Sequence, residues 1–230
     1  MRQRRYFTGR ELPRMELDRS ATPYTLRQVD AVTAACGAAP GDRVLDVGSG
    51  LGRYTIALAR RGLTVEAMDL TTGLVDRLRQ AEPGIPAHVG DLASPPAELH
   101  GRFDVVVGFF MLHHVADLPA AFRGVRDLLR PGGRAAFLEP NPLFPGYYVQ
   151  ITCTPGMTWR GDGGIVRMRP RRLAAAAQAA GLVGFVTERF GAFPPVLANQ
   201  PVGAGVERAL EAVPGWRAMR AFQLFSMRAP

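Results

Sequence analysis

Asp46-Val47-Gly48-Ser49-Gly50-Leu51-Gly52 stands where a short apolar strand, Arg43-Val44-Leu45-Asp46-Val47, runs into a helix from about Arg53 to Arg61. Glycines at such a turn let the backbone reverse sharply and let a ligand lie against the main chain. The spacing narrows the choice of ligand. The third glycine follows the second after one residue, whereas the dinucleotide fingerprint leaves two. No Gly-Lys-Ser/Thr follows, which removes the phosphate-cradling P-loop. Asp46 precedes the first glycine by two residues, and a carboxylate there suits an ammonium or sulfonium rather than a pyrophosphate.

Working outward, strands and helices alternate. Pro40-Gly41 is a turn, and Tyr24 to Cys36 carries Leu26, Val29 and Val32 at helical spacing. Gly62 closes the helix after the glycine turn, and Leu63 to Met68 is a second strand ending at Asp69. Thr72 is placed to cap a helix bearing Leu74, Val75 and Leu78. Pro86 to Val89 is a brief third strand ending at Gly90-Asp91, and Asp104 to Phe110 is a fourth, near-continuously apolar strand. Such a run is expected where helices cover both faces of a sheet. Leu118 to Leu129 is a helix, Pro131-Gly132-Gly133 a turn and Ala135 to Leu138 a fifth strand. The alternation predicts βαβ units and a parallel sheet with right-handed crossovers. Beyond Glu139 the rhythm breaks into a Pro-, Gly- and aromatic-rich stretch. Arg171 to Ala180 and Val206 to Ala212 read as helices, and Leu182 to Phe190 and Ala221 to Met227 as two last strands.

Three acids end successive strands: Asp46, Asp69 and Asp91. Asp69 lies where an acid takes two ribose hydroxyls, and Asp91 where one accepts from an adenine amino group. Each alone would pass for a cap or a solvated turn; their joint appearance with the glycines would not.

The chain resembles the class I S-adenosylmethionine (SAM)-dependent methyltransferases, in the broad small-molecule group described as type 11. Asp46 to Gly52 is similar to that family's glycine motif, Asp69 to its ribose-binding acid and Gly90-Asp91-Leu92 to its adenine-contacting turn. Phe103-Asp104-Val105-Val106-Val107 with Leu112-His113-His114-Val115 resembles the fourth-strand motif and its following His pair. Leu128-Leu129-Arg130-Pro131-Gly132-Gly133 resembles the turn before strand five. The resemblance covers about residues 40–140.

It implies a doubly wound, Rossmann-like α/β sheet of seven strands, mostly parallel with an antiparallel last strand, in a single domain over residues 1–230. Residues 1–39 are expected as an N-terminal helical cap and 140–170 as an insert walling the substrate pocket. The resemblance implies SAM as cofactor, held by Asp46, Gly48, Ser49, Gly50, Asp69, Leu70, Asp91 and Leu92, with Phe109 and Phe110 as floor. A methyl group moves in line to an oxygen, nitrogen or carbon nucleophile. A hydroxyl needs a base, for which His114 is the first candidate and His113 the second. Glu139, Asn141, Tyr147, Tyr148 and Trp159, with Phe144 and Met157, are candidates to contact the substrate. The acceptor is expected to be a small organic molecule, in the setting of specialised metabolism.

Composition sets the competing readings. The chain of 230 residues carries a formal net charge of +8, which invites nucleic acid as a partner. All 28 basic residues are arginine, an imprint of codon bias, and the clusters Arg2, Arg4, Arg5 and Arg167, Arg169, Arg171, Arg172 are short and interrupted. Phe109-Phe110-Met111-Leu112 replaces the Asn-Pro-Pro-aromatic motif frequent in nucleic-acid amino-methylating enzymes. A small-molecule substrate is therefore favoured over a nucleic acid. A cyclase on the same fold, without methyl transfer, is the other alternative. Cys36 and Cys153 have no metal-ligand or redox spacing, and no metal is expected. No signal peptide or membrane span is read, so a cytoplasmic protein without a membrane partner is expected, with a homodimer as one assembly.

Overall fold

The computed structural model describes residues 20–154, 157–191, 199–200, 203–211 and 213–230. The elements that bear on the site are helix α1 (Pro23–Cys36), β1 (Arg43–Val47), α2 (Arg53–Ala59), β2 (Thr64–Asp69), α3 (Thr72–Ala81), β3 (Ala87–Val89), β4 (Phe103–Phe109), α4 (Leu118–Leu128) and β5 (Leu129–Pro140). The insert follows as α5 (Pro145–Cys153) and α6 (Trp159–Asp162). The chain ends through α7 (Pro170–Ala179), β6 (Val183–Phe190), α8 (Gly203–Glu211) and β7 (Phe222–Arg228).

The seven strands form one sheet in the order β3-β2-β1-β4-β5-β7-β6. Neighbours from β3 to β5 pair in parallel, and β7 is antiparallel to both β5 and β6. The order reverses between β1 and β4, where the connections leave in opposite directions and a crevice opens at the carboxyl ends.

Strand alternation sends successive side chains to opposite faces. Val44, Val65, Val105, Val107, Ala136 and Leu138 pack with Val29 and Val32 of α1 and Ala57 and Leu58 of α2. Leu45, Val47, Val106, Ala135 and Phe137 pack on the other face with Phe122 and Val125 of α4 and Leu173 and Ala177 of α7. The described part of the N-terminal segment is therefore a layer of the core rather than a lid over it. Asp46 follows the parity of Val44 and faces α2.

Local details depart from the sequence expectations. Thr71, not Thr72, is the N-cap of α3 and makes no side-chain cap bond; Asp69 accepts the Thr71 N–H at 2.8 Å instead. The helix α2 stops at Ala59, and Gly62, at φ +81°, turns the chain onward. The Pro131-Gly132-Gly133 turn lies inside β5 as an irregularity. Phe103 pairs with Leu129 and Val105 with Arg134, so residues 130–133 bulge from the ladder. The Arg2, Arg4, Arg5 cluster lies outside the described residues. No helix among the described residues is long and apolar enough to cross a membrane.

Candidate active site

The glycine turn takes the conformation its residues predict. Gly48, Gly50 and Gly52 have φ of +68°, +57° and +89°, which L side chains resist. The turn is tied to β2: Gly48 and Ser49 donate to the Met68 carbonyl at 2.7 and 3.2 Å. Gly50 donates to Asp69 Oδ2 at 2.9 Å. A cleft of about 180 Å³ lies over it, lined by Gly48, Gly50, Asp69, Leu70, Gly90, Asp91 and Leu92, with Met111, His114 and Phe110 toward its inner end. Asp69 is buried, and burial raises its carboxyl against the backbone N–H bonds that lower it. Asp91 is exposed, with Oδ1 accepting from Ala93 N–H at 2.9 Å.

A second cavity of about 660 Å³ lies beyond Phe110 and His114, the residues shared by both. Its wall includes Tyr24, Arg53, His113, Phe144, Tyr147, Met157 and Phe222. The insert packs against the His turn at its edge: Arg167 donates to the His113 carbonyl at 3.3 Å, and a Cβ on Gly164 would fall 1.8 Å from that oxygen.

His113 Nδ1 lies 2.6 Å from Glu139 Oε2. Glu139 Oε1 accepts the backbone N–H groups of Met111 and Leu112 at 2.9 and 2.6 Å. His114 Nδ1 lies 3.1 Å from the Gly161 carbonyl, which only accepts, so that nitrogen carries the hydrogen. The two imidazoles stand 4.0 Å apart, tilted by 43°.

Several sequence candidates sit elsewhere than expected. Asp46 is not on the cleft wall; its Oδ2 accepts the Thr55 hydroxyl at 2.6 Å beneath the turn. Burial raises its carboxyl to about 7, the Thr55 bond opposing and Asp69 adding. Ser49 Oγ is buried without a partner. Phe109 is stacked on Tyr54 at 4.1 Å and lines neither cavity. Phe110 does so instead, swung out of the strand at φ +54°. Glu139 and Asn141 are fully buried. Both Glu139 oxygens are engaged by the chain itself, so it braces the His turn rather than contacting substrate. Asn141 donates to the Ala218 and Arg220 carbonyls and accepts from Leu143 N–H, which fixes the strand exit. Tyr148 donates to the Pro142 carbonyl at 2.7 Å. Trp159, 49% exposed, stands 5.8 Å from its ring. Of the seven substrate candidates Phe144, Tyr147 and Met157 line the cavity, and Glu139, Asn141, Tyr148 and Trp159 do not. Sequence reasoning missed Arg53 and Tyr24; Arg53 carried a signal, being a cation directly after the glycine turn.

The family described as "Methyltransferase domain" matches residues 2–185, and the chain belongs to that family, the SAM-dependent class I methyltransferases. A ubiquinone biosynthesis O-methyltransferase of Azotobacter vinelandii is 36% identical over 115 residues, which is 48% of this chain and 50% of that protein. The chain spans about half the length of the first curated relatives it matches. Phosphoethanolamine N-methyltransferase 2 of Haemonchus contortus, solved with S-adenosyl-L-methionine, shares the fold at TM-score 0.62 and 17% identity, over 96% of this chain and 61% of that one. The [4+2]-cyclase SpnF does so at TM-score 0.59 and 18% identity, over 90% and 82%.

The cleft fits SAM on its own features. The space over Gly50 is open, with nothing within 4 Å of a built Cβ. Ser49 leaves a buried hydroxyl unpaired beside it. Asp69, whose oxygens each retain acceptor capacity, and Asp91 line the same cleft, with Leu70 and Leu92 beside them.

Proposed function

We propose that this chain methylates a hydroxyl group of a small organic acceptor, with SAM in the glycine-turn cleft and the acceptor in the second cavity. Bound SAM supplies an electrophilic methyl group on sulfur. Gly48, Gly50, Asp69, Leu70, Asp91 and Leu92 orient it, and Phe110 and His114 form the partition across which the two ligands meet. The observation that carries the reading is His113 on the wall of the second cavity, with buried Glu139 behind it on Nδ1. A carboxylate on Nδ1 holds the hydrogen there and leaves Nε2 as acceptor. His113 takes the acceptor proton, and His114, beside it, closes the site against water. The O-methyltransferase name of the Azotobacter relative supports a hydroxyl acceptor.

Calorimetry with SAM and S-adenosylhomocysteine tests the cofactor half. No binding by either at millimolar concentration, in folded protein, overturns it. Substituting His113→Ala and His114→Ala assigns the base: the one that lowers turnover by about 10²–10⁴-fold with cofactor affinity intact holds the role.

The likeness to the SpnF cyclase fold favours one second reading, in which the apolar cavity promotes ring closure without methyl transfer. Product formed at full rate with S-adenosylhomocysteine replacing SAM would establish it. The nucleic-acid reading is tested by a gel shift at low and moderate salt, since phosphate binding falls steeply with salt.

A further inference from the structure

Arg53 sits at the wall of the second cavity without a counter-charge. None of the ion pairs among the described residues involves it. The acid on that wall, Asp162, belongs to the insert, where its Oδ2 accepts the Thr158 N–H at 2.8 Å.

The guanidinium is nonetheless held in place. Its Cζ lies 4.6 Å over the Tyr54 ring, and Nη2 donates to the Tyr54 hydroxyl at 2.8 Å. That hydroxyl donates in turn to Gln28 Oε1 at 2.5 Å. The Tyr54 ring rests on Phe109 with the planes 1° apart. Three aromatic or planar groups thus form a column that fixes the fork, while Nη1 and Nε are not used in it. Tyr24 beside it remains a protonated phenol, since burial raises it to about 12. A half-buried guanidinium held in one orientation on a largely apolar wall is complementary to a planar anion, which takes two of its N–H groups at once.

We infer that Arg53 is a carboxylate-binding residue, engaging either the aminoacyl carboxylate of the cofactor or an acid group on the acceptor. The inference rests on the methyltransferase reading for its first source and stands without it for the second. Arg53 lines the same cavity as the partition residues Phe110 and His114.

Calorimetry on the full chain separates them, using wild type, Arg53→Met and Arg53→Lys. The probes are S-adenosylhomocysteine, methylthioadenosine (the same nucleoside and sulfur without the aminoacyl carboxylate), benzoate and neutral benzamide. The expected result is that Arg53→Met weakens a carboxylate probe at least about tenfold, a loss of about 1.4 kcal/mol. Arg53→Lys recovers part of it, and methylthioadenosine and benzamide bind as to wild type. A loss confined to S-adenosylhomocysteine assigns the cofactor; a loss confined to benzoate assigns the acceptor. Unchanged S-adenosylhomocysteine affinity with no Arg53-dependent benzoate binding overturns the inference. An equal loss of methylthioadenosine overturns it too, because the effect would then not be one of charge. A wild type that binds neither nucleoside overturns the methyltransferase reading instead, and Arg53 is then judged on benzoate alone.

Discussion

His113 Nδ1 and Glu139 Oε2, from two different strand exits, meet at 2.6 Å in a setting where Glu139 has no solvent exposure. The same carboxylate receives two backbone N–H groups of the His turn, so one side chain sets both the path of the turn and the hydrogen position on the ring.

Glu139→Gln therefore separates shape from chemistry. The amide oxygen can still accept from Met111 and Leu112, but the amide nitrogen then faces Nδ1 as a donor. The ring is expected to move its hydrogen to Nε2, visible as an exchange of the two nitrogen-15 shifts of His113. Turnover of a hydroxyl acceptor falls about 10²–10⁴-fold. Unchanged nitrogen shifts would remove the proposed role of the pair.

Asp69→Ala is expected to weaken S-adenosylhomocysteine binding by about 1–3 kcal/mol. It removes the ribose acceptor and also frees the N–H groups of Gly50 and Thr71 that Asp69 receives. Calorimetry at constant pH reads the affinity; an equal value in wild type and variant would move the ribose contact elsewhere.

Asp46 makes stability depend on pH. Burial is the main cause of its rise from 3.8 to about 7, opposed by the Thr55 bond and reinforced by Asp69. The folded state thus holds this proton more tightly than the unfolded chain. The contribution is present below about pH 4 and is lost as pH climbs through about 7. Asp46→Asn keeps an oxygen for Thr55 and cannot ionise. Its stability relative to wild type should improve between about pH 5 and about pH 8, read from urea midpoints. A constant difference across that interval would contradict the assignment.

Gly48→Ala and Gly50→Ala share a backbone penalty, of about 1–2 kcal/mol in the left-handed region, but not a steric one. A Cβ on Gly48 would lie 2.7 Å from Met111 Cβ, whereas one on Gly50 meets nothing within 4 Å. Denaturation should find Gly48→Ala the less stable of the two. Equal stabilities would mean that Met111 yields without cost.

What could be read from sequence follows from how local each signal is. Apolar runs define β1 and β4, and glycines mark the turn, because strand burial and positive φ are demands on single residues. The inward aim of Glu139 was not legible, since its partners Met111, Leu112 and His113 come from another strand exit. Phe109 and Phe110 differ by one position, and parity alone does not tell that Phe110 leaves the strand for the partition. Arg53 directly after the glycine turn is a cation legible in the sequence, but its orientation is not, because that depends on Tyr54, itself held by Gln28 of another helix.

The amides of Gly48, Ser49 and Gly50 have their acceptors inside the chain, in the Met68 carbonyl and the Asp69 carboxylate. The turn is thus preorganised, and ligand association need not order it. Slow deuterium uptake at Gly48, Ser49 and Gly50 is expected in the ligand-free protein, changing little when S-adenosylhomocysteine is added. The entropy lost on binding would then come from the ligand's own rotors rather than from the backbone that receives it.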